Sequence, residues 1–245
     1  MKLLVPIAAV ILLAPTVHAQ RGQGAGRGQA APETPKSSAA IDITGTWVSV
    51  ISEDWVLRMV TPRKGDYTRV PMTPAARQAA DAWDPAKDEA AGEQCKGYGA
   101  PGIMRLPGRI RISWQDDKTM KMELEAGNQV RLFHFAPPPA SEPSWQGHSA
   151  AEWQYTVVAP RTGELKVVTD RLKAGYLRKN GVPYSANTTV TEFFHRMPAP
   201  NGDTWLTIVT EIKDSENLRE PFVQSTHFKK LPDGAAFKPE PCSAR

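Results

Sequence analysis

The sequence predicts a mainly β domain: a single antiparallel barrel, closed or nearly closed, of about ten strands with one or two short helices. Three observations predict it. Apolar and polar residues alternate with period two, as in Ile110, Ile112 and Trp114 against Arg109, Arg111 and Ser113. Short turn signals separate the alternating stretches at hairpin spacing, among them Asp116-Asp117-Lys118, Arg161-Thr162-Gly163 and Asn201-Gly202-Asp203. Consecutive hairpins leave two open edges, and closure into a barrel protects both. A β-sandwich is the alternative; the meander-like order of turns favours the barrel.

The chain opens with a basic pair, Met1-Lys2, then an apolar run from Leu3 to Leu13, then Thr16-Val17-His18-Ala19 with small residues where a signal peptidase cuts. That is the three-part pattern of a secretory signal over residues 1–19, and the run is too short to span a bilayer. Export sets aside ATP, NAD and reducing thiol chemistry. Residues 20–40 are Gly, Gln, Ala, Pro and Ser with a few charges, a composition that does not offset its ordering entropy and predicts a flexible tether. The folded domain is expected over residues 41–245, long enough for a full core.

Gly45-Thr46-Trp47 begins the first apolar, β-branched stretch, to Ile51, and Trp55 to Thr61 is a second. Thr73-Pro74 and Asp84-Pro85 each place a capping side chain before a proline, which predicts helices over Ala75–Trp83 and onward to Ala91. Gly92 to Gly108 reads as a Gly- and Pro-rich loop carrying Cys95. Strands follow: a hairpin over 109–124, Gln129–Phe135 ended by Pro137-Pro138-Pro139, a hairpin over Ala151–Asp170, a turn at Asn180-Gly181, a hairpin over Thr188–Lys213, and a last strand from Phe222 to Lys229.

The formal net charge is +4. Lys2, Arg21, Arg27, Lys36 and Glu33 all precede residue 41, which leaves 26 Lys and Arg against 25 Asp and Glu in the domain. Without clustered cations it is not expected to bind nucleic acid, and with the signal removed it is not expected to insert stably in a membrane. Cys95 and Cys242 are an even pair in an exported chain and predict a disulfide; two thiols can also serve as ligands or stay free.

Several segments resemble a broad group of secreted bacterial proteins of unknown function. These are Gly147-His148-Ser149-Ala150-Ala151-Glu152-Trp153, Leu165-Lys166-Val167-Val168-Thr169, Gly181-Val182-Pro183-Tyr184-Ser185 and Thr191-Glu192-Phe193-Phe194. The group shows Gly-His-Ser…Trp and Pro-His-Ser type motifs. Here Tyr184 stands where the group often has His, and Phe193 follows Glu192 where it often has Arg. The resemblance implies an exported barrel-like domain and no particular reaction. Gly45-x-Trp47 also resembles the first-strand motif of lipocalins, which pair that Trp with a basic residue after the last strand; Lys229-Lys230 stands in that place.

Four histidines lie in the exported chain: His134, His148, His195 and His227. None shares helical metal-ligand spacing with another. Three imidazoles converging inside a barrel would suit zinc or copper; the plainer reading is four strand residues, and no cofactor is expected. His148 and Ser149 are neighbours in an extended segment and point apart, so they do not activate each other, and no Gly-x-Ser-x-Gly elbow is present. On the strand at Glu192, His195 shares one face with Thr191 and Phe193, and Glu192 the other with Phe194 and Arg196. A buried Glu192 needs a cationic partner, from Arg58, Arg131 or Arg196.

Gly147-His148-Ser149 and Glu192 are expected to meet at one end of the barrel, with Glu192 oriented by an Arg or by the His148 ring, and with Trp153, Tyr176, Tyr184 and Ser185 completing the site. The function expected is an exported, lipocalin-like protein holding a small apolar or aromatic molecule in a barrel pocket. The alternatives are an enzyme on the same barrel (a lyase, isomerase or hydrolase, metal-assisted or not) using His148 or Glu192, and an interaction module on a tether.

Overall fold

The computed structural model describes residues 32–52, 55–59, 61–137 and 142–244. The expected signal and residues 20–31 lie outside the described residues. In chain order the elements are β1 (Gly45–Val50), α1 (Trp55–Arg58), α2 (Pro74–Ala82), α3 (Pro85–Ala90), α4 (Ala100–Ile103), β2 (Arg109–Trp114), β3 (Thr119–Leu124), β4 (Gln129–His134), β5 (His148–Val158), β6 (Arg161–Asp170), β7 (Gly175–Arg178), β8 (Val182–Tyr184), β9 (Thr189–Pro198), β10 (Thr204–Lys213) and β11 (Phe222–Lys230). Nine strands close into a barrel in the order β1-β11-β10-β9-β6-β5-β4-β3-β2, and β1 completes it by pairing with both β11 and β2. The barrel is thus the architecture, and the sandwich is not.

One contact departs from the antiparallel expectation. β4 and β5 pair in parallel, through Phe133 with Ser149 and His134 with Ala150. A parallel contact needs a crossover of a dozen residues or so, and the segment 135–147 supplies it. β7 and β8, on either side of the Asn180-Gly181 turn, form a separate small sheet outside the barrel.

The caps read from sequence are formed. Thr73 accepts from the Ala76 amide before α2, and Asp84 from the Ala86 amide before α3, each satisfying an orphan N–H of a first turn. Trp55 lies in α1 and not on a strand: four residues are one helical turn, too short for a 3.6-residue period to show. The expected loop from Gly92 to Gly108 contains a 3-10 turn at Gln94–Tyr98 and α4. The first of these holds Cys95, which is bridged to Cys242 across a sequence separation of 147. Closing so long a loop removes about 5 kcal/mol of unfolded-state entropy in the chain-entropy account.

The folded unit begins at Glu33, and not at Ile41. Residues 33–40 lie on the barrel. The Trp153 indole donates to the Pro35 carbonyl at 2.8 Å, the Tyr155 hydroxyl to the Ser38 carbonyl at 2.8 Å, and the Lys36 amide to the Asp117 carbonyl at 3.2 Å. The segment has few apolar groups of its own, and two of these three bonds are donated by barrel side chains.

Two apolar clusters fill the interior. The first occupies the barrel and includes Trp47, Ile112, Met122, Phe133, Val167, Phe194, Ile208 and Phe228. Trp47 is fully buried beneath the Lys230 ammonium, 5.7 Å from the ring centroid, so the basic residue expected opposite this Trp is in place. The second cluster joins one end of the barrel to a cap built from α2, α4, β7 and β8, and includes Met72, Ala80, Leu172, Tyr184, Val190 and Ile212. Between Val190 and Phe194 on β9 stands Glu192, and between Ile208 and Ile212 on β10 stands Thr210. Thr169 takes the same place after Val167 on β6. Buried polar residues therefore form a layer between the two apolar clusters.

Candidate functional site

Glu192 is enclosed, with no exposed surface, and so is Arg131 of β4. Arg131 Nη1 donates to Glu192 Oε1 at 3.0 Å and Nη2 to Oε2 at 2.5 Å, a two-pronged pair. Nη2 also reaches Thr169 Oγ1 at 3.3 Å, and Thr169 shares a 2.8 Å hydrogen bond with Ser149. The Phe133 ring lies 5.1 Å below the guanidinium carbon. Of the three candidate partners for Glu192, Arg131 is therefore the one used.

Period two explains what joins this network and what does not. Ser149 faces inward, so its neighbour His148 faces out, toward His134, with ring centroids 6.0 Å apart. His148 does not orient Glu192, and the expectation that its ring might is corrected. His195 likewise faces out and pairs with Glu164 at 3.0 Å, while Glu192 and Phe194 face in. Gly147 has φ 61°, and a Cβ there would run into the Asp170 carbonyl, so the glycine before His148 serves the backbone turn into β5.

The other expected site residues are dispersed. Trp153 stacks with Trp114 and Phe135, with centroids 6.4 and 5.3 Å away, beneath the segment 33–40. The Tyr176 hydroxyl donates to Asp88, which also accepts from the Trp83 indole and from Lys96. Burial, then the bond to the Asp88 carboxylate, pushes the Tyr176 phenol above its ordinary value. Tyr184 is buried, and burial raises its phenol too; its hydroxyl has no hydrogen-bond partner among the described residues. A Cβ at Gly99 or Gly175 would overlap that hydroxyl. Ser185 gives its amide and its hydroxyl to Asp214, at 2.7 and 2.9 Å. Burial raises the Asp214 pKa, but donors from Asn217, Ser185 and Glu216 outweigh it and hold the carboxyl below its ordinary value. Among the described residues no three of His, Cys, Asp and Glu gather as metal ligands.

Open space lies elsewhere. A cleft of about 570 Å³ runs between the cap and the start of β11, lined by Leu57, Arg69, Val70, Pro71, Arg105, Arg178 and residues 220–225. That volume sits within the roughly 300–1,000 Å³ of small-molecule sites. Arg105 Nη1 donates to the Ser225 carbonyl at 3.1 Å, and Arg178 Nη1 to the Thr68 carbonyl at 2.8 Å, so both guanidinium groups are fixed to its rims. Arg58, buried beside it, donates to the Arg105 and Val50 carbonyls. Comparison with protein-family models, with curated proteins and with solved structures finds no match.

The sequence reading missed this cleft. Its three arginines come from the turn before α2, the second residue after α4 and the end of β7, and no local pattern links them. The structure itself sets one of them apart: Arg69 takes the third place of a turn closed by the Val70 amide on the Tyr67 carbonyl, at φ 68°, where glycine is favoured.

Proposed function

We propose that this chain is an exported, lipocalin-like binding protein whose small-molecule site is the cleft between cap and β11. The observation that carries this reading is the cleft itself: about 570 Å³ of space lined by Val70, Pro71 and Phe222 and by three arginines, two of them held on backbone carbonyls. The barrel interior, where the ligand was expected, is filled by Trp47, Phe133, Phe194 and Phe228 and sealed toward the cap by the Arg131–Glu192 pair. An apolar ligand there would have to displace packed side chains. The Cys95–Cys242 disulfide supports export. An enzyme built on Glu192 loses support, because a carboxylate with no exposed surface and both oxygens bonded to Arg131 does not reach a substrate.

The test is hydrogen exchange of the mature protein with and without a concentrated small-molecule extract of exporting cells. Slower exchange confined to residues 69–71 and 220–225 is the expected result. Protection of β4, β6 and β9 around Glu192, or no change at the cleft, contradicts the proposal.

A further inference from the structure

Resting on the reading of the cleft as a binding site, we infer that its ligand is a short peptide in the extended conformation, bound as an added strand along the start of β11. Residues 220–225 line the cleft, and this stretch is an open sheet edge. On one side β11 pairs with β10 along its length, from Phe222 with Ile212 to Lys229 with Trp205. On the other side β1 pairs only from Lys230 with Trp47 to His227 with Val50. There β1 ends, and the chain turns away into α1. Among the described residues no strand pairs with residues 222–226 on that side.

Period two decides what the edge presents. In an antiparallel ladder each residue aims its N–H and C=O at one neighbour, and successive residues aim at opposite neighbours. The Leu231 amide, just past β11, donates to the Thr46 carbonyl, so the odd-numbered residues of β11 face β1. Neither pairing of β11 shows a register shift, so the rule carries down to Ser225 and Val223. The bond from Arg105 to the Ser225 carbonyl fits this direction, because Arg105 and Ser225 both line the cleft. The Val223 N–H, the Val223 C=O and the Ser225 N–H therefore face the cleft, with no backbone partner there among the described residues. Donor, acceptor and donor in a row at strand spacing are what an extended peptide backbone completes.

The surroundings suit a single chain. Leu57, Val70 and Pro71 line the cleft beside the edge, and the Val223 side chain is 57% exposed on the strand itself. The edge over 221–225 is about 17 Å long at about 3.4 Å per residue, which seats a peptide of about five residues. Such a peptide continues the β1–β11 ladder where β1 leaves it, with apolar side chains at alternate positions beside Val223 and these walls. Space bounded on a second side admits one extended chain more readily than the edge of a folded sheet.

The experiment is amide exchange by NMR on the mature protein, alone and with a concentrated pool of blocked, proline-free pentapeptides of mixed sequence. In the free protein the Val223 and Ser225 amides should exchange fast, and those of Gln224 and Thr226, which face β10, slowly. The pool should slow Val223 and Ser225 about tenfold or more, and the same pool N-methylated at every residue should not. Val223→Pro removes an N–H that the fold leaves without a strand partner, so it should melt like the parent while the pool no longer protects Ser225. Val223→Thr keeps the backbone and should keep the protection. Equal protection by the N-methylated pool overturns the added strand and leaves the cleft as a site for another solute. Slow exchange of Val223 and Ser225 in the free protein at every concentration means that the edge is already covered, and overturns the inference. Protection that rises with protein concentration alone assigns the edge to a second copy and overturns the peptide. Protection by neither pool also overturns it, and the exchange experiment with the cell extract then decides independently whether the cleft is a site.

Discussion

The arginines of this protein stand in two opposite surroundings. Arg131 is closed off inside the barrel, bonded through both Nη atoms to one carboxylate and stacked on Phe133. Arg69, Arg105 and Arg178 border an open cleft, with two of them anchored on backbone carbonyls. The first arrangement spends its charge on the fold. Its polar layer divides two apolar cores and fixes which face of β4, β6 and β9 turns inward. The second borders space that a solute can enter. Arg131 is thus held in the fold by a buried carboxylate, whereas the second group borders open space, although both depend on the same side chain.

The sharpest break of this contrast is Glu192→Gln. It strands the Arg131 cation in the interior and should destabilise the protein by about 3–5 kcal/mol in urea unfolding. The double change Arg131→Met with Glu192→Leu should recover most of that loss, because a buried pair is often matched by apolar packing. A single variant that melts like the parent would move Glu192 from structure to function.

Next in size is the bridge. Cys95→Ser with Cys242→Ser should cost about 2–4 kcal/mol, measured by thermal unfolding of material with both wild-type and variant chains exported alike. The loss should act on the cap, where Tyr98 accepts from the Ser243 amide and from Lys179 beside the disulfide. Unchanged unfolding would mean that the tail is held without it.

Arg69→Gly should act in the opposite direction on stability. A left-handed residue other than glycine costs about 1–2 kcal/mol, and glycine's unfolded-state entropy takes back about 0.5–1, so stability should hold or rise by up to about 1.5 kcal/mol. A loss of stability would mean that Arg69 is part of the fold, as Arg131 is.

The smallest effect is expected at His134. Burial first, then the charge of His148, lowers its pKa from the ordinary value of about 6.5, with Asp116 opposing. The fold therefore favours the neutral ring. Its contribution is complete above the unfolded value and is lost as pH falls through the lower folded value. Between about pH 7 and 5 the melting temperature should fall less in His134→Gln than in the parent. Parallel slopes would remove His134 from the account.

Local physics made much of the fold legible. The hairpin of β2 and β3 and the strand β10 follow from period two and from turn residues a few positions away, and the α2 and α3 caps follow from Thr73 and Asp84. The parallel contact of β4 with β5 is a meeting of separated segments, and no residue in either strand announces it. β7 and β8 are four and three residues long, too short for alternation to rise above chance. Residues 33–40 looked unable to fold because their own composition is poor in apolar groups, and the Trp153 and Tyr155 donors that hold them lie far along the chain. The pairing of Glu192 is legible only as one of three conditional on its burial, because period two separates the two faces of β9 without saying which turns inward. The cleft was illegible because it exists only between segments.

The most direct measurement is guanidinium-detected NMR of the mature protein during titration with a concentrated small-molecule extract of exporting cells. The Nε–H signals of Arg69, Arg105 and Arg178 should shift together and saturate together, while that of Arg131 stays fixed. Shifts at Arg131 with the cleft signals unmoved would place the ligand in the barrel and contradict the division between the two regions.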